Sequence, residues 1–561
     1  MNAIPKPEIA AVHSNAQLGP QFAVRNPATQ EIIGTLPNLT AAQIADAVSK
    51  AAAAQARWAS MPVRDRLRIL SRFADLLCDQ KDAVASVISR EAGKPQAEAF
   101  ATEILVVLDT VKYLKNNLPG FLRPEPIPHG NPAMKLKSGQ LLREAYGVVG
   151  IISPWNYPFS VPSVQTLTAL ATGNAVVLKP SEFTPYSSLE LQRLLREAGL
   201  DRELLQVITG EGGAGAALLA TNVQKVVFTG SVATGKRVAQ AAAARLLPVV
   251  LELGGKDPMI VLEDADVDVA SSAAVWGAFM NAGQTCLSVE RCYVHERIYE
   301  KFLEQCVEKT AKLRIGSTHP LRHDEPGKDG FQRAQRMGHP DQDGAPQAEI
   351  DVGPMIHERQ LGIVQSHVQD AVARGARLLA GGKPLPSLGP NFFAPTILAD
   401  VDHSMKIMRE ETFGPTLPVR SFKTEDEAIA LANNSEYGLA ASIFTGDRKR
   451  GEALARRIVA GTVMVNDVLA CFGISEAPHG GVKASGIGRT HGRFGLEEMV
   501  WPKYVDSDRL PRMKKLWWYG YGPAFAQQMG GFVDLLFAKK LINRMRGVIK
   551  STKSYLQRRL L

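Results

Sequence analysis

The spacing of apolar positions changes along the chain, and each change marks a different kind of element. From about 41 to 114 apolar residues recur three and four apart, as in Leu67, Ile69, Leu70, Phe73, Leu76 and Leu77, in an alanine-rich background. That period puts an apolar stripe on successive helices. After the proline-rich stretch 118–132 the text becomes short apolar runs that stop at Pro, Gly or Ser: 146–153, 175–178, 205–209, 225–229 and 247–253. Helical segments separate these runs, which predicts a parallel sheet flanked by helices. A second alternating region follows from about 265 to 456. Within it, 318–350 is rich in His, Pro, Asp, Gly and Gln and reads as a solvated surface insertion. Residues 1–25 read as a loose arm, and no internal repeat is visible.

Length and composition sharpen this picture. The 561 residues exceed the ~250–300 at which single cores stop growing, so two or more domains are expected. With 45% hydrophobic and 22% charged residues the chain is neither disordered, collagen-like nor a coiled coil. Its formal charge of +9 suggests a polyanionic partner until the charge is located. From 509 to 561 there are 12 Lys and Arg against one acid, Asp534, a local net of +11. The remaining residues carry 53 basic and 55 acidic side chains, a net of −2. A neutral body with a basic tail does not support nucleic-acid binding by the whole protein.

The five cysteines, Cys78, Cys286, Cys292, Cys306 and Cys471, are sparse and odd in number. They have no zinc-like spacing, so no metal site is expected and a reducing compartment is the better reading. The first twenty residues hold no signal-peptide run, and no apolar stretch approaches the ~18 residues of a membrane span. The body is expected to be soluble and cytoplasmic.

Ligands of such α/β domains sit beyond the carboxyl ends of the strands, and four strand ends here are chemically unusual. They read Ser153-Pro154-Trp155-Asn156-Tyr157-Pro158, then Lys179-Pro180-Ser181-Glu182, then Phe228-Thr229-Gly230-Ser231-Val232-Ala233-Thr234-Gly235, and lastly Leu251-Glu252-Leu253-Gly254-Gly255-Lys256. Thirty-four residues beyond Glu252 comes Gly283-Gln284-Thr285-Cys286, and later Glu411-Thr412-Phe413-Gly414-Pro415 and a run from Pro478 to Arg489. In this order they resemble the NAD(P)-dependent aldehyde dehydrogenase superfamily over roughly 480 residues, from about Val24 to Tyr504.

The chemistry of the residues agrees with the resemblance. Cys286 is the candidate nucleophile, because a thiolate adds readily to an aldehyde carbon. The bland alternative, a buried small hydrophobe, is kept for Cys78, Cys292, Cys306 and Cys471. The resemblance assigns the developing oxyanion to the Asn156 amide and the Cys286 backbone N–H, and makes Glu252 the general base that activates water on the thioester.

For the cofactor, the resemblance implies NAD, with NADP use possible. The sequence offers a decoy in Gly210-Glu211-Gly212-Gly213-Ala214-Gly215, a G-x-G-x-x-G after a strand with no ribose-binding acid about 20 residues on. Alone it reads as a glycine-rich turn. The resemblance gives Gly212 a lesser place beside the adenine and puts the pyrophosphate on the segment from Gly230 and Ser231 to Gly235, at the start of a helix. Lys179 and Glu182 fall on the adenosine ribose, and Glu411 and Phe413 on the nicotinamide ribose and ring. Ile152, Ser153, Trp155, Phe228 and Leu253 complete the contacts. A carboxylate at Glu182 repels a 2′-phosphate and favours NAD, while Lys179 softens that repulsion.

The fold so implied is an aldehyde dehydrogenase-like α/β protein. A Rossmann-like cofactor domain spans 1–122 and 147–253, a catalytic domain 254–466, and small β bridging segments 123–146 and 467–505. The bridging strands imply a homodimer or tetramer. Tyr157, Trp276, Phe279 and Phe472 are candidates for an apolar aldehyde tunnel, with no Lys or Arg aimed at a substrate carboxylate. A CoA-acylating relative and a non-catalytic scaffold are the rival readings.

Three features depart from the pattern: the insertion 318–350, His479 where an aromatic or apolar residue is usual, and the extension 506–561. In that extension Phe532, Leu535, Leu536, Ile542, Met545, Ile549, Leu556 and Leu560 fall near one helical face. Lys539, Lys540, Arg544, Arg546, Lys550, Lys553, Arg558 and Arg559 supply charge, and Trp517-Trp518-Tyr519 precedes them. An apolar stripe with cations and aromatics suits a membrane surface. Packing on protein, or binding another polyanion, is the alternative.

Overall fold

Two mainly parallel sheets organise the larger of two compact units, Met1–Arg123 with Arg143–Pro502. The computed structural model describes residues 20–131, 134–318, 349–515 and 517–557, with side chains up to 553 at the C-terminal end. Most of the 318–350 insertion and of the 1–25 arm therefore lies outside the described residues. So do Arg558, Arg559 and Leu560 of the tail, and the side chain of Leu556.

The first sheet has six strands, in the order Gly486–Ile487, Val249–Glu252, Lys225–Thr229, Val148–Ile152, Ala175–Lys179 and Leu205–Val207. Five are parallel, and Gly486–Ile487 closes one edge antiparallel to Leu251 and Glu252. All five residues of Ala175–Lys179 are buried, as a parallel strand covered on both faces requires. The helix Val63–Asp79 buries Leu67, Ile69, Leu70, Phe73 and Leu77, most of the expected stripe. Several strands are shorter than their apolar runs, because the run ends are turns that carry Ser153, Thr209 and Leu253.

The second sheet has seven strands: Arg377–Ala380, Thr396–Ala399, Thr416–Phe422, Val289–His295, Asp257–Val261, Ala440–Phe444 and Thr462–Val465. Only the first pair is antiparallel. Its strand Asp257–Val261 starts earlier than the expected boundary near 265. The chain leaves the first sheet at Glu252 and enters the second at Asp257, which puts the ends of two strands side by side. Gly254 and Gly255 permit this, since a Cβ at Gly254 would run into the Glu411 carboxylate and one at Gly255 into the Cys286 carbonyl.

The smaller unit comprises Pro124–Leu142 and Lys503–Leu561. Strands Glu125–Ile127, Lys137–Ala145 and Val500–Asp508 form a three-stranded sheet. Beyond it the expected continuous stripe is broken into two helices, Pro523–Phe537 and Leu541–Gln557. Ala538 leaves the helix with extended backbone (φ −63°, ψ 134°). The second helix folds back so that Gly531 faces Gly547 and Ser551, too close for a Cβ at either glycine. The Ser551 hydroxyl donates to the Gln528 carbonyl at 3.2 Å. This packing is made by small residues, and it leaves Phe537 and Leu541 more than 70% exposed on either side of the turn.

Candidate active site

Cys286 follows a strained turn. After the helix Val267–Phe279 the chain passes through Asn281, Ala282 and Gly283, all left-handed (φ 53°, 54° and 71°). Side-chain hydrogen bonds hold Asn281 there, in a conformation that costs a non-glycine residue about 1–2 kcal/mol. The Asn281 N–H donates to the Glu98 carboxylate at 3.1 Å, and its Nδ2 donates to the carbonyls of Asn156 (3.0 Å) and Gln284 (3.1 Å). Gln284 Oε1 accepts the Ile356 N–H at 2.9 Å. Asn156 Nδ2 donates to the Gln284 carbonyl at 3.0 Å, so the turn that carries Cys286 and the strand end that carries Asn156 are bonded to each other.

The Trp155-Asn156-Tyr157 turn is fixed from below by a buried ion pair. Lys94 Nζ lies 2.7 Å from Glu103, and both side chains are fully buried. Glu103 accepts the N–H groups of Phe159 and Ser160 at the start of helix Ser160–Ala171. Lys94 sits 3.7 Å over the Tyr157 ring, and the Tyr157 hydroxyl is 2.8 Å from Thr285 Oγ1.

Glu252 ends its strand 4% exposed. Among the described residues neither carboxylate oxygen has a hydrogen-bond partner. Burial pushes its carboxyl well above the usual range; the Arg489 charge opposes the shift and Glu498 adds to it. His479 Nε2 stands 3.5 Å from Glu252 Oε2. Burial holds His479 down to about 3, so that imidazole is neutral. The Cys286 thiol is also pushed well up, by burial first and then by Asp257 and Glu252.

Cys286, Glu252 and Asn156 line one cavity of about 550 Å³. Trp155, Gly230, Ser231, Leu253, Glu411 and Phe413 share its wall. Ile152, Ser153, Lys179, Glu182, Gly212 and Phe228 do not line it, but stand at or beyond the carboxyl ends of neighbouring strands. The Ser153 N–H donates to the Lys179 carbonyl at 3.0 Å, and Lys179 Nζ pairs with Glu182 at 3.2 Å. The Phe228 ring packs on Gly230. Ser231 caps the helix Val232–Ala243 by accepting the Thr234 N–H. The glycine-rich decoy turns at Gly210 (φ 151°) and opens the helix Gly212–Ala220.

A dinucleotide fits this arrangement. The capped N-terminus of Val232–Ala243 offers free N–H groups and positive dipole to an anion, and Gly230 lacks the Cβ that would run into the Phe228 ring beneath it. A mixed acid and base lie at the neighbouring strand end, and an aromatic pair, Trp155 and Phe413 at 5.4 Å edge-to-face, lies in the cavity wall.

Several supporting residues escaped the sequence reading. Lys256 Nζ lies 2.5 Å from Glu290, and Glu290 accepts the N–H groups of Thr412 and Phe413. Phe413 is thereby held at φ 52°, with Glu411 accepting the Gly255 N–H at 2.9 Å and pushed up by burial to about 8. A signal for this pair was present: Glu290 and Arg291 are charges inside the fully buried strand Val289–His295.

On the substrate side Tyr157, Trp276 and Phe472 line the cavity. Phe279 does not; at 2% exposure it belongs to the core under the second sheet, because its helix turns that face inward. No lysine or arginine is among the lining residues. Cys292, Cys306 and Cys471 are buried, whereas Cys78 is exposed on the outer side of its helix and is not a core residue.

Comparison with known proteins agrees with this geometry. The aldehyde dehydrogenase family model matches residues 13–505. The chain is 39% identical to the 4,4'-diapolycopene aldehyde oxidase of a Methylomonas species, over 92% of each chain. It is 38% identical to a Mycolicibacterium smegmatis protein named "Putative succinate-semialdehyde dehydrogenase", qualified NADP(+), over 85% of this chain and 86% of that one. The NAD+ complex of an aldehyde dehydrogenase from Bacillus cereus superposes with a TM-score of 0.78 at 33% identity, over 87% of this chain and 93% of that one.

Proposed function

The chain belongs to the aldehyde dehydrogenase family, and from that premise we propose that it oxidises long apolar aldehydes to carboxylic acids at an anionic membrane surface. The observation that carries the substrate class is the cavity: Cys286 opens onto Tyr157, Trp276 and Phe472, with no lysine or arginine in the lining. Succinate semialdehyde brings a carboxylate that such a wall leaves unpaired, at a cost of several kcal/mol if buried. An apolar aldehyde, as in the name of the Methylomonas relative, meets no such penalty.

In the proposed reaction Cys286 Sγ adds to the aldehyde carbon as its proton departs. The Asn156 amide, with its second Nδ2–H, and the Cys286 N–H take the charge on the former carbonyl oxygen; losing one such donor costs ~3–4 kcal/mol of barrier. The bound dinucleotide supplies the hydride acceptor. Glu252 then removes a proton from water as the water attacks the thioester, the carbon–sulfur bond breaks, and the acid leaves. Ser231 and the helix it caps hold the pyrophosphate, with Gly230 and Phe228 beneath. Lys179 and Glu182 take the adenosine ribose and Gly212 flanks the adenine. Glu411, Phe413, Trp155 and Leu253 enclose the nicotinamide side, and Ile152 and Ser153 stand beside Lys179 at the neighbouring strand end.

By this reading residues 1–122 and 147–253 carry the cofactor and 254–466 the nucleophile. The bridging segments 123–146 and 467–505 pair subunits into a homodimer or tetramer.

The membrane component rests on the helical hairpin. Val533, Phe537, Leu541, Ile542, Met545 and Ile549 are all exposed, and Lys539 and Lys540 occupy its turn. Each cation contributes up to ~1 kcal/mol near anionic lipid, and the exposed apolar groups enter the interface. Full-length protein is expected to co-sediment with phosphatidylglycerol vesicles and to be released by salt. Phe537→Glu with Leu541→Glu should abolish sedimentation; undiminished binding by that variant refutes the docking.

The substrate test is a profile of kcat/KM over aldehydes of rising chain length beside succinate semialdehyde, with and without CoA. The long aldehydes are expected to exceed the semialdehyde by at least ~10-fold, a ratio worth about 1.4 kcal/mol, and to give free acid in both conditions. A semialdehyde preference overturns the apolar reading, and an acyl-CoA product overturns the hydrolytic one.

Cofactor choice supplies a further prediction. Glu182 places an acid 3.2 Å from Lys179, where it opposes a 2′-phosphate, so NAD is expected to be preferred. Glu182→Gln leaves Lys179 unopposed and should raise the NADP to NAD ratio of kcat/KM about 10-fold in initial rates; an unchanged ratio removes Glu182 from the ribose site.

A further inference from the structure

Aldehyde oxidation with water and a nicotinamide gives a carboxylate, the reduced cofactor and two protons. Those protons must leave a cavity in which the proposed base, Glu252, is 4% exposed. Arg489 and Glu498 act on Glu252 through charge, and His479 Nε2 stands 3.5 Å from its Oε2.

His479 is one of a pair. Its ring meets that of His491 edge-on at 5.7 Å, and Phe472 packs against both, at 5.0 and 4.7 Å. A reciprocal backbone bridge between His479 and Thr490 (2.8 and 2.7 Å) fixes the spacing. Both rings line the cavity that holds Cys286. His491 also lines a second chamber of about 10 Å³, together with Ser475, Thr110, Thr168 and the half-buried Tyr113. That is near the smallest volume that accepts one water.

Two observations set His491 apart from a core histidine. Its Nδ1 meets Thr490 Oγ1 at 3.0 Å, but its Nε2 is buried with no hydrogen-bond partner among the described residues, as is the Ser475 hydroxyl in the same chamber. Its backbone stands at φ 63°, ψ 160°, a region that is essentially glycine's and costs of order 1–3 kcal/mol for other residues. Strain and an unpaired buried nitrogen are tolerated together where the ring must face two spaces at once.

We propose that His479 and His491 are positioning residues that form the proton outlet of Glu252, leading from the cavity into the small chamber behind His491. The inference rests on Glu252 being the general base. After hydrolysis the proton on Glu252 passes to His479 Nε2 as the ring releases one from Nδ1. Water carries it to His491, which takes a proton on one nitrogen and gives up another on the far side. Each ring ends neutral as its other tautomer, which must revert before the next turnover; Glu252 is again a carboxylate, and one proton has reached the chamber behind His491. The charged and titratable groups that act on this route include Glu252, Arg489, Glu498 and Tyr113, with Glu476 and Arg493 acting on Tyr113.

The test uses the full-length protein, with His479→Phe, His479→Gln, His491→Leu and Glu252→Gln compared by rapid-mixing and steady-state NADH formation between pH 6 and 9. The first-turnover burst of the histidine variants is expected to stay within ~2-fold of wild type. Steady-state turnover should fall about 10-fold in His479→Phe and about 5-fold in His491→Leu. Added imidazole should recover at least half of the loss, which a merely structural role cannot do. His479→Gln, which leaves a polar side chain beside Glu252 that cannot relay a proton, is expected to resemble His479→Phe and guards against a folding defect in the latter. Undiminished steady-state turnover in both His479 variants, or a loss that imidazole leaves untouched, overturns the outlet. Glu252→Gln separates the two layers: if it still turns over normally the base assignment fails, whereas a stalled Glu252→Gln beside normal His479 variants refutes only the outlet.

Discussion

Cys286→Ala is expected to lose aldehyde oxidation by a factor on the order of 10⁴ or more, with dinucleotide binding retained. The size follows from what the side chain does in the proposed reaction. Every later event, from the charged adduct to the thioester, is attached to its sulfur, so no neighbouring group can substitute. Cys292, Cys306 and Cys471 are buried elsewhere, and Cys78 is exposed. The direction of pH dependence can be stated as well. Burial, with Asp257, Glu252 and Glu411 nearby, raises the Cys286 thiol, and the nucleophile is its ionised form, so burst rates of the wild type should rise with pH. NADH formation from any aldehyde by Cys286→Ala at more than a hundredth of the normal rate excludes this cysteine as the nucleophile.

The α/β architecture could be read from the sequence because its strands are buried on both faces and interrupted by turn residues. Runs such as 175–178 and 225–229 have no other simple reading. The motifs at their ends fall where the chain stops pairing, and the structure gathers Asn156, Glu252 and Cys286 around one cavity. The pairings of the supporting residues were invisible for a physical reason. Glu98, Glu103, Lys94, Glu290 and Lys256 act through backbone N–H groups and ion pairs made across 9 to 183 residues of sequence, and periodicity carries no such information. Phe279 differs from the sequence expectation because an aromatic near Cys286 in sequence need not face the cavity that Cys286 lines. In sequence the tail shows a single stripe because apolar spacing alone does not report a fold-back, which here depends on Gly531 meeting Gly547.

The second large effect concerns what happens after the cofactor has been reduced. Glu252→Gln is nearly isosteric and keeps a polar group where no hydrogen bond was made, so the fold should tolerate it. It cannot accept a proton from water, and general-base catalysis is worth about 10²–10⁴-fold. One NADH per active site should therefore form at close to the normal rate, followed by a steady state slower by that factor. Intact-mass measurement should then find the acyl group on Cys286. The wild-type profile gives an independent check: only ionised Glu252 accepts a proton, and burial raises its carboxyl well above the usual range. Wild-type turnover should accordingly climb with pH above the ordinary carboxylate range, and the glutamine variant should lack that rise. The burst is the decisive observation. A variant that loses the burst together with the steady state has lost hydride transfer or cysteine addition. Glu252 would then act on the first half of the reaction, as a base for the thiol and not for water.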